Sequence, residues 1–249
     1  MKRLKEILTA IIVLAALVTV FYFVYRHVNT KTHRALAKRI AELSPKGGPP
    51  ETIDGLRKAI ALYEDQIERN VREGAQTGVY WKILAIRLAD KKMHNDALNA
   101  FERAIYFNTE DPTLYYLTGV SAASVAKSLV GFSSGEQKEK EKLYKLSENS
   151  YLRAMELDIT YTKPMYGIAI LYVFELDRPQ DAIPYLERYL QIAASDVSAM
   201  FVLARAYYST ENYSRAVELY DKIISRTKNK KIKEEALNNK DIIQGMLYE

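Results

Sequence analysis

The chain has 249 residues, of which 48% are apolar and 27% are charged, and its formal net charge is +5. This composition is typical of a folded chain, because disordered segments combine high charge with few apolar residues. The absence of cysteine excludes disulfides, thiolate metal sites and a cysteine nucleophile. With only 10 Gly and 7 Pro, the sequence favours long helices over a turn-rich β fold.

Residues 7–25 form an uncharged apolar segment that predicts a transmembrane helix. Its 19 residues would span about 28 Å as a helix, close to a hydrocarbon core of about 30 Å. A cleaved signal peptide is the alternative, but its apolar core is shorter and a small-residue cleavage site follows at once. Arg26 and His27 follow here instead. We therefore predict an uncleaved anchor over residues 1–28.

Basic residues flank this segment on both sides, which makes its orientation ambiguous under the positive-inside rule. We expect the short basic tail to stay in the cytoplasm and the large domain to cross the membrane. Residues 29–75 then form a juxtamembrane region. It comprises a basic helical stretch over 31–43, a break rich in Gly and Pro over 44–50, and an amphipathic stretch over 53–71.

A short motif recurs four times in the rest of the chain. Its three residues are spaced by four and then three positions: Ala97, Phe101 and Ala104; Ser147, Tyr151 and Ala154; Ala182, Leu186 and Tyr189; Ala216, Tyr220 and Ile223. The copies begin 50, 35 and 34 residues apart. A period of 34 explains these intervals with one insertion of 16 residues and one of a single residue, and it indicates a repeat architecture.

A second pattern precedes each motif and completes the repeat. Trp81, Leu84, Ala85 and Leu88 stand in the same register ahead of Ala97 as the corresponding residues of the last copy ahead of Ala216. The third copy matches once one extra turn residue is allowed, and Gly119 supplies the small residue of the second copy. Together the two patterns resemble the tetratricopeptide repeat, W-x₂-L-G-x₂-Y followed by A-x₃-F and a further small residue.

The resemblance implies an all-α fold, a right-handed α-solenoid of antiparallel helix pairs behind the single transmembrane helix. The array is predicted over residues 76–229, with units at about 78–111, 112–161, 162–196 and 197–229. Residues 230–249 are predicted to be a capping helix that solubilises the end of the array, and its pattern gives no information about a site. The insertion falls near residues 130–142, and we interpret it as two lengthened helices joined by a solvated turn; a projection that contacts a partner is the alternative.

The sequence contains no pattern that indicates catalysis or a bound cofactor. Phosphate-binding glycine loops and the nucleophile elbow are absent. The three histidines, His27, His33 and His94, match no zinc-binding spacing and are expected on the surface. We therefore predict a protein that is not an enzyme, with no cofactor and no metal site.

The resemblance instead implies a concave groove formed by the first helices of the units. The positions that face it in the family are occupied here by Lys82, Ile86, Tyr116, Val120, Tyr166, Ile170, Phe201, Arg205 and Tyr208. Such a groove, with aromatic walls and little charge, is expected to bind an extended or helical peptide. It does not resemble the basic clamp of some family members, because Ile86 and Ile170 replace polar residues. The chain's own amino-terminal helices are an alternative occupant.

We therefore hypothesise a scaffold for protein–protein interaction, tethered to a bacterial inner membrane with its repeats on the extracytoplasmic side. The alternatives are a passive spacer or a homo-oligomer without a peptide ligand and, with less support, a protein that binds anionic lipid or nucleic acid. Residues 1–46 hold 9 basic and 2 acidic residues, a balance of +7, and the remaining 27 basic and 29 acidic residues leave −2. Because the array is nearly neutral, we expect no nucleic-acid partner.

Overall fold

The computed structural model describes residues 52–131 and 133–248, and this part of the chain consists of α-helices without strands. The helices are α1 (Ile53–Asp90), α2 (His94–Phe107), α3 (Pro112–Ser128), α4 (Ser134–Leu157), α5 (Thr162–Phe174), α6 (Pro179–Ile192), α7 (Val197–Ser209), α8 (Tyr213–Arg226) and α9 (Lys230–Tyr248). Among these described helices, none is both long enough and apolar enough to span a bilayer. The predicted anchor, the basic stretch over 31–43 and the break over 44–50 lie outside the described residues.

The helices from residue 76 onward form the antiparallel pairs that the repeat predicts. Within three of the pairs, the turn places a residue in the left-handed region of the backbone two positions before the second helix begins. These residues are Lys92, Asp177 and Glu211, with φ of 64°, 51° and 59°. In the enlarged unit Gly131 has φ of 77°. The same turn thus recurs with non-glycine residues, which cost more there than glycine would.

The recurring motif residues lie where the two helices of a unit approach each other. Ala97, Ala104, Ala182 and Ala216 are completely buried. Ser147 occupies the corresponding position between α3 and α4, where its hydroxyl donates a hydrogen bond of 2.8 Å to the Gly119 carbonyl. Small side chains are needed here because a larger one would force the paired helices apart.

The insertion in the second unit lengthens both of its helices. Helices α3 and α4 contain 17 and 24 residues, whereas the pair α5 and α6 contains 13 and 14. Helix α4 begins with a capping box, in which the Ser133 hydroxyl accepts from the Glu136 backbone N–H and the Glu136 carboxylate accepts from the Ser133 backbone N–H. The structure thus agrees with the interpretation of two extended helices joined by a short turn.

The contacts divide the chain into two units, residues 1–72 and residues 73–249. Helix α1 runs without a break through residue 75, where the sequence had placed the end of the juxtamembrane region. No proline lies between residues 53 and 90 to end it, and isolated glycines are tolerated within a helix.

Leu84, expected among the core residues of the first repeat unit, is 44% exposed, because no described helix precedes this unit to cover it.

Candidate functional site

The predicted groove contains an open cavity at its carboxyl-terminal end, within the second unit of the chain. We call it the groove pocket; its volume is about 530 Å³ and its lining residues come from α5, α7, α8 and α9. Three residues assigned to the groove from the sequence, Phe201, Arg205 and Tyr208, lie together on its wall. They are spaced at helical intervals along α7, so one face of that helix points toward the cavity.

The wall of the groove pocket combines exposed aromatic and aliphatic side chains with one cation. The guanidinium of Arg205 lies 4.9 Å from the ring centre of Phe174, and no carboxylate of the described residues lies within ion-pair distance of it. Tyr208 packs against Tyr213 and donates to the sulfur of Met246 at 3.7 Å. Exposed apolar rings beside an unpaired guanidinium are features of protein-binding surfaces.

The first two predicted groove residues are engaged within the chain instead of lining this cavity. Lys82 Nζ lies 2.5 Å from Asp111 Oδ2, and Asp111 also caps α3 by accepting from the Thr113 backbone N–H. Partial burial tends to raise the pKa of Asp111, but the hydrogen bond and charge of Lys82 outweigh it and hold the pKa below its ordinary value. Ile86 packs against the core of the first repeat unit.

The middle of the predicted groove is also packed against its own chain. Tyr166 stacks on Tyr189 with 5.4 Å between the ring centres, and Tyr116 contacts the rings of both Tyr151 and Tyr161. Burial raises the pKa of Tyr166, and burial together with the hydrogen bond to Asp196 raises that of Tyr189 to about 12. These phenols therefore stay neutral at physiological pH.

Val120 and Ile170, the remaining two predicted groove residues, are partly buried against the main hydrophobic core. Of the nine residues assigned to the groove from the sequence, the structure thus brings Phe201, Arg205 and Tyr208 into one cavity, and this cavity does not include the other six.

The sequence missed the contribution of the last helix to this site. No residue of the capping helix α9 was assigned to the groove from the sequence, and the helix supplies Glu235, Asn239, Ile242 and Ile243 to the groove pocket. The groove prediction counted only the first helices of the units, so the residues of the cap were left out of it. Phe174 was missed as well, although it lies four residues beyond Ile170 on the same face of α5.

The described residues contain no group of three or more His, Asp or Glu side chains placed to hold a metal ion. His94, expected on the surface, is half-buried and its Nδ1 has no hydrogen-bond partner. Burial and the nearby charge of Lys92 lower the pKa of His94, so this imidazole is neutral at physiological pH. His27 and His33 lie outside the described residues.

Comparison with known proteins agrees with the helix pairs. The sequence profile of the tetratricopeptide repeat family matches residues 173–233, which include α6, α7 and α8. The match supports tetratricopeptide repeats in this part of the chain. Repeats of this family imply a scaffold for protein–protein interaction, and such scaffolds are typically not enzymes.

One curated relative is a TPR repeat-containing protein of Borreliella burgdorferi, 22% identical over 207 residues that cover 83% of this chain and 88% of the relative. Among solved structures, the array is similar to YrrB, which is described as a TPR protein with an unusual peptide-binding site. The TM-score is 0.57 at 16% identity, over 73% of this chain and 83% of that one.

It is also similar to MamA from Desulfovibrio magneticus RS-1, with a TM-score of 0.51 at 14% identity, over 69% of this chain and 96% of that one. At these identities the two solved structures establish the fold of the array and nothing further.

Proposed function

We propose that this protein is a membrane-tethered scaffold whose groove pocket binds an apolar peptide or helix of a protein partner. The observation that carries the proposal is the pocket itself, an open cavity of about 530 Å³ walled by aromatic side chains. The peptide-binding site described for YrrB adds support by analogy of fold alone.

The chemistry of the pocket defines the ligand that would fit it. Tyr208 and Ile242 are exposed apolar side chains on facing helices, and large apolar anchors usually supply most of the energy of such contacts. Arg205 has no carboxylate partner among the described residues, so an acidic group on the ligand would complete its interactions. We expect a peptide with an apolar anchor next to an Asp or Glu.

Site-specific photocrosslinking in cells tests this proposal. A photoreactive phenylalanine analogue replaces Tyr208, and we expect it to crosslink a defined protein partner. Adding Arg205→Glu and Ile242→Asp to the Tyr208 variant should abolish the crosslink, because these changes reverse the charge at position 205 and make the wall at position 242 polar. Both side chains are exposed, so we expect the fold to be retained. Circular dichroism checks that the variant remains folded.

The matched control places the same photoreactive residue at Tyr106, which is 74% exposed on α2 and outside the groove pocket. We expect no crosslink of the same protein from that site. Crosslinks from position 208 that reach only other copies of the chain, or that survive both substitutions, would contradict peptide binding and favour a passive spacer.

The proposed tether is the apolar segment over residues 7–25. Its length and lack of charge support insertion into a bilayer, and the basic residues around it are suited to contact lipid head groups. We propose that it holds the protein in the bacterial inner membrane, with the repeats on the extracytoplasmic side.

A further inference from the structure

The first part of α1 carries an apolar stripe that remains exposed. Ile53, Leu56, Ile60, Tyr63 and Ile67, here called the open stripe, are between 41% and 71% exposed. They are spaced alternately by three and four residues, which places them at the a and d positions of a heptad repeat. This spacing is characteristic of the seam between two helices of a coiled coil, whereas scattered surface apolar residues would show no such order.

The charged side chains on the opposite face of the same helix form ion pairs within the helix. Arg69 pairs with Asp65 at 2.7 Å, and Arg72 pairs with Glu68 at 2.7 Å. Both are pairs four residues apart along an exposed helix surface. The charged face is therefore stable in contact with water, whereas burying the open stripe against a partner would remove apolar surface from water and lower the free energy.

The charges at the edges of the open stripe indicate which partner it takes. Arg57 and Glu64 both occupy the e position, one heptad apart, and Glu64 has no ion pair with a described residue. The g positions on the other edge, Thr52, Ala59 and Gln66, are uncharged. In a parallel pair of these helices each e residue would face an uncharged g residue. In an antiparallel pair e faces e, so Arg57 of each copy meets Glu64 of the other.

We propose that residues 53–70 form an antiparallel two-helix coiled coil with a second copy of this chain. One register of the antiparallel pair brings Arg57 of each copy to Glu64 of the other. In this register Leu56 packs against Ile67 of the second copy, and Ile60 packs against its Tyr63. The overlap is about 27 Å long. The segment belongs to one continuous helix of 38 residues, so pairing does not require a new helix to nucleate. This interface is independent of the groove pocket.

Cysteine crosslinking of the full chain tests the register, because the native sequence contains no cysteine. Two differently tagged copies, one with Leu56→Cys and the other with Ile67→Cys, are expressed together and mildly oxidised. We expect the mixed disulfide between positions 56 and 67 to form about tenfold more than either same-position disulfide, since only the mixed pair comes within bonding distance.

The control pair is Lys58→Cys with Asp65→Cys, which has the same register but lies on the opposite face of the helix, and it should not crosslink. Arg57→Glu should slow the mixed disulfide about fivefold, and adding Glu64→Arg should restore it, because the second change re-forms both ion pairs. Failure of the double variant to recover would overturn the charge pairing.

Same-position disulfides at 56 and 67 would show a parallel pair and overturn the proposal. Absence of any dimer from either position would also overturn it and would mean that another segment of the chain or another protein covers the open stripe. Neither result affects the photocrosslinks at position 208, so the two proposals fail separately.

Discussion

At the scale of single residues, two glycines allow the helices to close around one tyrosine. A Cβ atom on Gly119 would lie 2.7 Å from Tyr151 Cε1, and a Cβ atom on Gly167 would lie 2.9 Å from the same carbon. Tyr151 is buried and also contacts the ring of Tyr116. The ring therefore packs closely between the backbones of α3 and α5.

Gly119→Ala should destabilise the array. The new methyl group must displace the buried Tyr151 ring, and such overpacking costs about 1–3 kcal/mol, which exceeds the gain of up to about 1 kcal/mol in helix propensity. We expect the free energy of unfolding in urea, followed by circular dichroism, to fall by about 1–2 kcal/mol. Adding Tyr151→Leu should cost less than the sum of the two single changes, because the clash is then removed.

The matched control is Gly245→Ala on the exposed face of α9, where an added Cβ meets nothing within 4 Å. There the substitution should be neutral or stabilising by up to about 1 kcal/mol. Equal effects of the two alanine substitutions would contradict the close packing at Gly119.

At the scale of helices, one buried carboxylate connects three elements of the array. Glu148 on α4 is 5% exposed and accepts hydrogen bonds from Lys145 at 2.9 Å, from the Tyr172 hydroxyl on α5 at 3.0 Å and from Arg178 at 2.9 Å. Arg178 immediately precedes α6 and also pairs with Asp181. A buried charge is tolerated here because each donor satisfies part of it.

A similar connection recurs one unit later with different spacing. The Tyr207 hydroxyl on α7 donates to Glu187 on α6, and Arg215 on α8 lies 3.1 Å from the same Glu187 oxygen. The tyrosines are 35 residues apart, whereas the glutamates are 39 apart and the arginines 37. The shared chemistry thus follows the helix interfaces and not the sequence period, which is why the period does not predict it.

The Glu148 connection should make stability depend on pH. Burial tends to raise the pKa of Glu148, but the hydrogen bonds from Lys145, Tyr172 and Arg178 outweigh it and hold the pKa below its ordinary value of 4.5. A lowered folded-state pKa stabilises the fold above the unfolded value, and this contribution is lost as pH falls through the folded value. Glu148→Gln should therefore cost about 1.5–3 kcal/mol near neutral pH, and the difference from wild type should shrink below about pH 4.5.

Urea unfolding across this pH range measures the effect. Glu139→Gln is the control, because this exposed residue of α4 forms only a surface pair with Lys142 at 3.7 Å and should have little effect at any pH. A Glu148→Gln cost that stays constant down to pH 3 would contradict the role of the charge.

At the scale of the whole molecule, the charge separates by segment. The balance of +7 belongs to residues 1–46, and residues 47–249 carry −2. The basic pI of about 9.0 therefore describes the region around the proposed tether, while the repeat array that carries the groove pocket is close to neutral. This distribution supports the proposed contact of the amino-terminal segment with lipid head groups.

Two charges placed within the proposed tether should release the protein from the membrane. Leu14→Arg with Leu17→Arg adds about 2.5–3.5 kcal/mol of insertion cost per residue, which exceeds what the neighbouring apolar residues offset. We expect the wild-type chain to sediment with membranes after a carbonate wash and the double variant to remain in the supernatant.

The control adds two arginines at exposed positions of α1 outside the proposed tether, such as Gln76→Arg and Val79→Arg. These changes add the same charge and should leave the protein in the pellet. Equal sedimentation of wild type and the tether variant would contradict insertion. Protease treatment of spheroplasts tests orientation: a digested array agrees with the extracytoplasmic side, and a protected array reverses it.

The sequence predicted some residues of the groove pocket correctly, but it also assigned to the groove residues that contact other side chains of the chain. Phe201, Arg205 and Tyr208 were predicted because the resemblance to the tetratricopeptide repeat implies that these positions face the groove, and their helical spacing puts them on one face of α7. Tyr166 shares that register but stacks on Tyr189, and Lys82 pairs with Asp111, 29 residues away. The repeat register fixes the face on which a side chain starts, whereas its rotamer and partner depend on neighbouring helices.

The sequence by itself determined the repeat, the helix pairs, the positions of small residues and the lengthened second unit, because helical period and residue size are local properties. Only the tertiary structure decided that α9 completes the groove pocket, that the middle of the groove is filled by tyrosine pairs, and that Glu148 and Glu187 connect successive helices. These features depend on which side chains meet across helix interfaces, where packing and burial, and not sequence spacing, set the partners.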